Sequence, residues 1–101
     1  MYLIQIALPL YDNNKKAFDR RLFDKVRDDL KNVFGGVTLY RNAPAEGVWN
    51  NDEGTDYDEL ITAEVITEDV DRTWWQQFKH EMEETFKQKE MMIRCIKFEQ
   101  L

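Results

Sequence analysis

Four side chains that could share one chemical task lie in segments patterned as β-strands: Gln5, Tyr40, Glu64 and Arg94. Their segments, residues 2–8, 37–41, 61–67 and 91–98, are rich in apolar and β-branched types. Successive side chains of a strand point to opposite faces. If Ile4, Ile6, Val37, Leu39, Ile61, Ala63 and Val65 face the core, then Leu3, Gln5, Ala7, Thr38, Tyr40, Leu60, Thr62, Glu64 and Ile66 share the other face, and Arg94 can join them. An amide, a phenol, a carboxylate and a guanidinium gathered there suit a small polar ligand, with Arg94 as an anion anchor and Glu64 or Tyr40 as an acid or base. The competing reading is structural: two sheets pack together and the polar row satisfies itself as a buried network.

A second candidate surface is the segment from Arg41 to Trp49. Arg41 can grip a carboxylate or phosphate with two parallel hydrogen bonds, Trp49 offers a flat apolar wall, and Gly47 lets the backbone bend toward a ligand. Glu46 adds a carboxylate to the same stretch. The alternative is that Arg41 pairs with Asp56 or Asp58 and Trp49 packs beside Tyr40, making a self-stapled hairpin. Residues 42–59 as a whole are acidic and long for a structureless loop, so they are either a functional loop or an extension of the hairpin between the second and third strands.

Other chemistry is poorly supported. Calcium binding of the EF-hand type around Gly54 would place the ends of the motif on Trp49 and Leu60, which supply no side-chain oxygen. No metal site is expected. His80 lies between Lys79 and Glu81 on a polar helix face, and Cys95 lies among Ile and Phe, where a thiol is expected to pack as a small hydrophobe. Gly35-Gly36 follow a helix and read as its stop, not as a phosphate loop. Neither a nucleotide fingerprint nor a hydrolase or kinase signature is present, so no cofactor is expected.

The elements that must position these groups are legible in the spacing. Phe18, Leu22, Val26, Leu30 and Val33 recur at helical intervals from about Lys15, behind a cap among Asp12, Asn13 and Asn14. Trp75, Phe78, Met82 and Phe86 form a second stripe within 69–89, capped by Asp69 or Asp71. Trp74, about 100° from Trp75 around the helix, is expected to cover the helix start or an oligomer seam. Strand, helix, strand, strand, helix, strand is the split βαβ order. It predicts one ferredoxin-like α+β domain over residues 1–101, with an antiparallel sheet in the order 4-1-3-2 and both helices on one face.

Composition narrows the partners. Twenty acidic against fourteen basic residues give a net charge of −6, which disfavours nucleic acid and anionic membranes. The one cysteine precludes an intrachain disulfide, and no apolar run reaches the length of a membrane span, so a cytoplasmic protein is expected. With both helices on one face, Leu3, Ile66 and one of Ile96 or Phe98 are left seeking cover. A homodimer is therefore expected, with a trimer as the alternative.

The run Phe34-Gly-Gly-Val-Thr-Leu-Tyr40, continued by Ala43-Pro-Ala-Glu-Gly-Val-Trp49, resembles a group of short bacterial proteins of uncharacterised function. A Trp-Trp pair in the second helix and an Ile-rich last strand are similar too. The resemblance implies the fold and a bacterial origin, and transfers no catalytic residue. At fold level the chain also looks like the dimeric α+β barrels and trimeric signalling proteins. The expected function is a homo-oligomeric small-ligand-binding or regulatory module, and the alternative is a small cofactor-free enzyme using a cavity between subunits.

Overall fold

In the computed structural model the backbone of residues 1–51 and 54–101 is described, with side chains outside 42–45 and 49–58. The element order is β1 (Tyr2–Pro9), α1 (Arg20–Phe34), β2 (Thr38–Asn51), β3 (Gly54–Thr67), α2 (Arg72–Thr85) and β4 (Ile93–Lys97). The four strands form one antiparallel sheet in the order β2-β3-β1-β4, the expected arrangement. Ile4, Ile6, Leu8, Ile61, Ala63 and Val65 from the sheet are buried against Phe23, Val26 and Leu30 of α1 and Trp75, Phe78 and Met82 of α2. Both helices thus cover a single sheet face, and the ferredoxin-like α+β fold follows from alternation in the strands and the three-to-four spacing of the helices.

The helices start and stop for identifiable reasons. α1 begins at Arg20, five residues later than the spacing suggests, with Asp19 as its cap accepting from the Arg21 N–H. Asp12 does not cap it; its Oδ1 accepts from the N–H groups of Asn14 and Lys16, a local turn that holds Lys15 at φ 62°. Phe18 therefore precedes the helix and packs edge-on against Phe86 at 5.1 Å. Phe23 enters the core, whereas Val33, expected in the stripe, is exposed. Gly35, at φ 81°, ends α1 as expected and donates its N–H to the Lys31 carbonyl. α2 is capped by Asp71, whose side chain accepts from the Trp74 N–H.

Three further expectations are corrected. Of the two readings of residues 42–59, the described backbone takes the hairpin extension and not the acidic loop: β2 and β3 continue as a long hairpin, paired as far as Asn51 and Gly54. The ladder shifts between Tyr40, opposite Thr62, and Ala45, opposite Leu60, so β2 carries three more residues than β3 across this bulge. β4 is shorter than 91–98. Cys95 is exposed rather than packed, because it lies on the outermost strand. Trp74 does cover the helix start, stacking on Phe78 and meeting Phe34 edge-on. Among the described residues, no helix is long and apolar enough to cross a membrane.

Candidate functional site

The open face of the sheet brings Gln5, Glu64 and Tyr40 together. Gln5 stands directly opposite Glu64 on one side and Arg94 on the other, and Glu64 stands opposite Thr38. Each alternates with a buried neighbour, Gln5 between Ile4 and Ile6 and Glu64 between Ala63 and Val65, so their side chains must leave the core. Tyr40 comes from the next row of β2, opposite Thr62, and reaches diagonally to the carboxylate.

The carboxylate of Glu64 is held from both sides. The Tyr40 hydroxyl donates to Oε1 at 2.6 Å and Gln5 Nε2 donates to Oε2 at 2.8 Å. These two bonds, the Tyr40 one foremost, hold the Glu64 carboxyl below its ordinary range, while its hydrogen bond and negative charge raise the Tyr40 phenol above its own. At neutral pH the centre of the face therefore carries a fixed, ionised acceptor and a protonated phenol. Such a carboxylate is a weak base and a good electrostatic partner for a cation.

Arg94 shares the row without closing it. It is exposed, and no ion pair joins it to Glu64 among the described residues. With neighbouring strands about 4.8 Å apart, a positive and a negative group stand roughly 10 Å from each other across Gln5. Beyond the row, Leu3 lies between Ile66 and Ile96, and the latter two are 53% and 42% exposed. An apolar row thus borders the polar one on the same open face.

Of the Arg41–Trp49 segment, Arg41 does not join this site. Arg41 turns toward the helix layer, where its guanidinium donates to Asp24 of α1 at 2.5 Å and holds that carboxyl below its ordinary value. Glu46 is exposed on the hairpin directly opposite Glu59. The side chain of Trp49, like those of Asp56 and Asp58, lies outside the described residues. His80 is exposed and within 3.1 Å of Glu84 one helical turn away, as its polar surroundings suggest. Among the described residues no cluster of His, Cys, Asp and Glu has the makings of a metal site.

Sequence reasoning missed a cleft of about 390 Å³ that starts beside the polar row. Ala7 and Leu60 of the open face form one side, and Met91 and Met92 of the connection from α2 to β4 form the other. Lys79 and Glu90, paired at 3.3 Å, stand at its rim. The connection is pinned: the Met91 N–H donates to Glu83, the Ala7 N–H donates to the Met92 carbonyl, and Lys87 turns the chain at φ 54°. The only sequence signal was the Met91-Met92 pair just before the last strand.

The fold and this open face define the class: a ferredoxin-like α+β domain whose helix-free sheet surface carries a polar row. No family model matches the chain, and no curated protein matches it. Among solved structures it is similar to a phage SAM lyase in complex with S-methyl-5'-thioadenosine, with a TM-score of 0.67 at 14% identity over 95% of this chain and 80% of that chain. It is also similar to a phage SAM lyase in the apo state, with a TM-score of 0.63 at 14% identity over 94% of this chain and 78% of that chain. Likeness at that identity shows the fold.

Proposed function

We propose that this protein is a homo-oligomeric small-ligand-binding module whose site is the open sheet face, and that its ligand is a sulfonium nucleoside of the S-adenosylmethionine type. The observation that carries the reading is the Glu64 carboxylate, ionised and immobilised by Tyr40 and Gln5 in the middle of a sheet face that the protein's own helices leave uncovered. A fixed anion favours a cationic ligand, and Arg94 on the far side of Gln5 suits a carboxylate. S-adenosylmethionine carries both a sulfonium and an amino-acid carboxylate. The similar phage proteins support a nucleoside of this kind, since one of them is a SAM lyase holding S-methyl-5'-thioadenosine.

A second copy of the chain would cover the apolar row of Leu3, Ile66 and Ile96 and shield the ligand from water. Excluding water strengthens the contact between the carboxylate and the sulfonium. The enzymatic reading is cleavage of the sulfonium nucleoside at a carbon–sulfur bond, in which sulfur keeps the bonding pair and leaves as a neutral thioether while the released carbon bonds the ligand's own carboxylate oxygen; the same likeness to a lyase favours it. The two readings separate in one incubation: a binding module returns S-adenosylmethionine intact, whereas an enzyme releases a thioether nucleoside visible by chromatography. The binding claim is tested by thermal shift with a metabolite panel containing both nucleosides. Stabilisation by S-adenosylmethionine that Glu64→Gln reduces supports it, and a flat response to every nucleoside contradicts it.

A further inference from the structure

We infer that the cleft between the open sheet face and the α2–β4 connection is the subsite for the flat aromatic base of the ligand, an inference that rests on the sulfonium-nucleoside reading of the polar row. The geometry is continuous. Ala7 follows Gln5 on the same face of β1, and Leu60 precedes Glu64 by two open-face positions on β3. At about 3.3 Å per residue, the cleft begins roughly 7 Å from Gln5 and extends to roughly 13 Å from Glu64. That spacing lets one ligand place a charged group on the carboxylate and a ring among Ala7, Leu60 and Met92.

The lining suits an aromatic heterocycle. A volume of about 390 Å³ lies at the lower end of the range for small-molecule pockets. Methionine side chains adapt their shape to a ring and make favourable sulfur–aromatic contacts, and Met92 is 48% exposed at the cleft. Gln88, also in the lining, spends its Nε2 on the Phe86 carbonyl at 3.1 Å. Its Oε1 has no partner among the described residues and is an acceptor for a ring or exocyclic N–H. The cleft is preformed because both of its walls are hydrogen-bonded in place, which spares the ligand the entropic cost of ordering them.

The test uses S-methyl-5'-thioadenosine, which has the base and no charge. The protein is labelled with ¹³C at the methionine methyls, and Met1, Met82, Met91 and Met92 are followed during titration. The Met91 and Met92 methyls are expected to move and to show nuclear Overhauser contacts to the base protons. Met82, buried in the core, and Met1, at the other end of β1, are expected to stay still. Ala7→Leu, which fills the cleft, is expected to weaken binding at least tenfold, and Met92→Ala, at a half-exposed position, several-fold, with the fold of each variant checked by its own melting curve. Binding that moves the Gln5 side-chain amide but neither methionine, and that survives both substitutions, overturns the cleft assignment while the polar row stands. A titration with no saturable change anywhere, repeated with S-adenosylmethionine, overturns both.

Discussion

Replacing Gln5 by leucine removes one of the two donors that hold Glu64 and changes little else. Leucine is close in volume to glutamine and suits a half-exposed strand position at least as well, so no cavity or propensity loss obscures the result. The bond lost is Gln5 Nε2 to Glu64 Oε2 at 2.8 Å, a hydrogen bond to an ionised group. Such bonds contribute about 1.5–3 kcal/mol when buried, and at this half-buried site water replaces part of the interaction, leaving about 1 kcal/mol. For a domain of this size that corresponds to a fall in Tm of about 4–8 °C.

The pH dependence gives the prediction its signature. Hydrogen bonding depresses the folded-state pKa of Glu64 below its ordinary 4.5, so the stabilisation is complete above that value and is lost as pH falls through the folded pKa. The difference between Gln5→Leu and the parent should therefore be largest near neutrality. In acid it should shrink to the smaller worth of a neutral hydrogen bond. Urea unfolding at pH 7 and about pH 3, at one protein concentration so that assembly does not confound the comparison, measures both. An equal difference at the two pH values, or none at pH 7, would refute the claim that Gln5 holds an ionised Glu64.

The remaining predictions test other parts of the structure. Tyr40→Phe should raise the Glu64 carboxyl pKa toward its ordinary value, read from the carboxyl ¹³C shift; an unchanged value would mean the Tyr40 bond is absent in solution. Phe86→Ala, at a position fully buried against Phe18 and Phe23, should cost about 3–5 kcal/mol in urea unfolding, a large part of the whole stability of about 5–15 kcal/mol; a loss below about 1 kcal/mol would contradict the packing. Arg41→Ala should lower Tm by releasing Asp24 and leave nucleoside affinity unchanged, whereas lost affinity at unchanged Tm would assign Arg41 to a ligand. Ile66→Asp should yield a folded monomer by light scattering, and an assembly state indifferent to it would remove the open face from the interface.

The features legible in the sequence are those governed by simple periodicity. Alternation placed Gln5, Glu64 and Arg94 on one face of adjacent strands, and the pairing brings them into one row. The α2 stripe of Trp75, Phe78, Met82 and Phe86 is buried throughout. Where local and periodic signals competed, the local one decided: Phe18 fits the helical spacing, but the Asp12 turn keeps it outside α1. The hairpin extension was legible only as one of two alternatives for residues 42–59, because Asn, Asp and Gly are poor strand formers and cross-strand pairing overrides such preferences without leaving a pattern in one strand alone. The Arg41–Asp24 pair and the cleft depend on distant segments meeting, and spacing within one segment carries no trace of either.

The central claim is that the Glu64 row recognises a cation on a nucleoside ligand. Isothermal titration of the purified protein with S-adenosylmethionine and with S-methyl-5'-thioadenosine, repeated on Glu64→Gln, tests it most directly. That substitution keeps the size of the side chain and removes the charge; its single amide oxygen can still accept from Tyr40, while the bond from Gln5 survives only if the Gln5 amide turns to offer its own oxygen. The expected result is one site per chain, tighter binding of the sulfonium than of the neutral thioether by several-fold, and a narrowing of that difference in the variant to what the amino-acid carboxylate on Arg94 contributes, the scale expected of partly exposed ion pairs. Binding of neither nucleoside at millimolar concentration, or a Glu64→Gln protein that prefers the sulfonium by an undiminished factor, would contradict it.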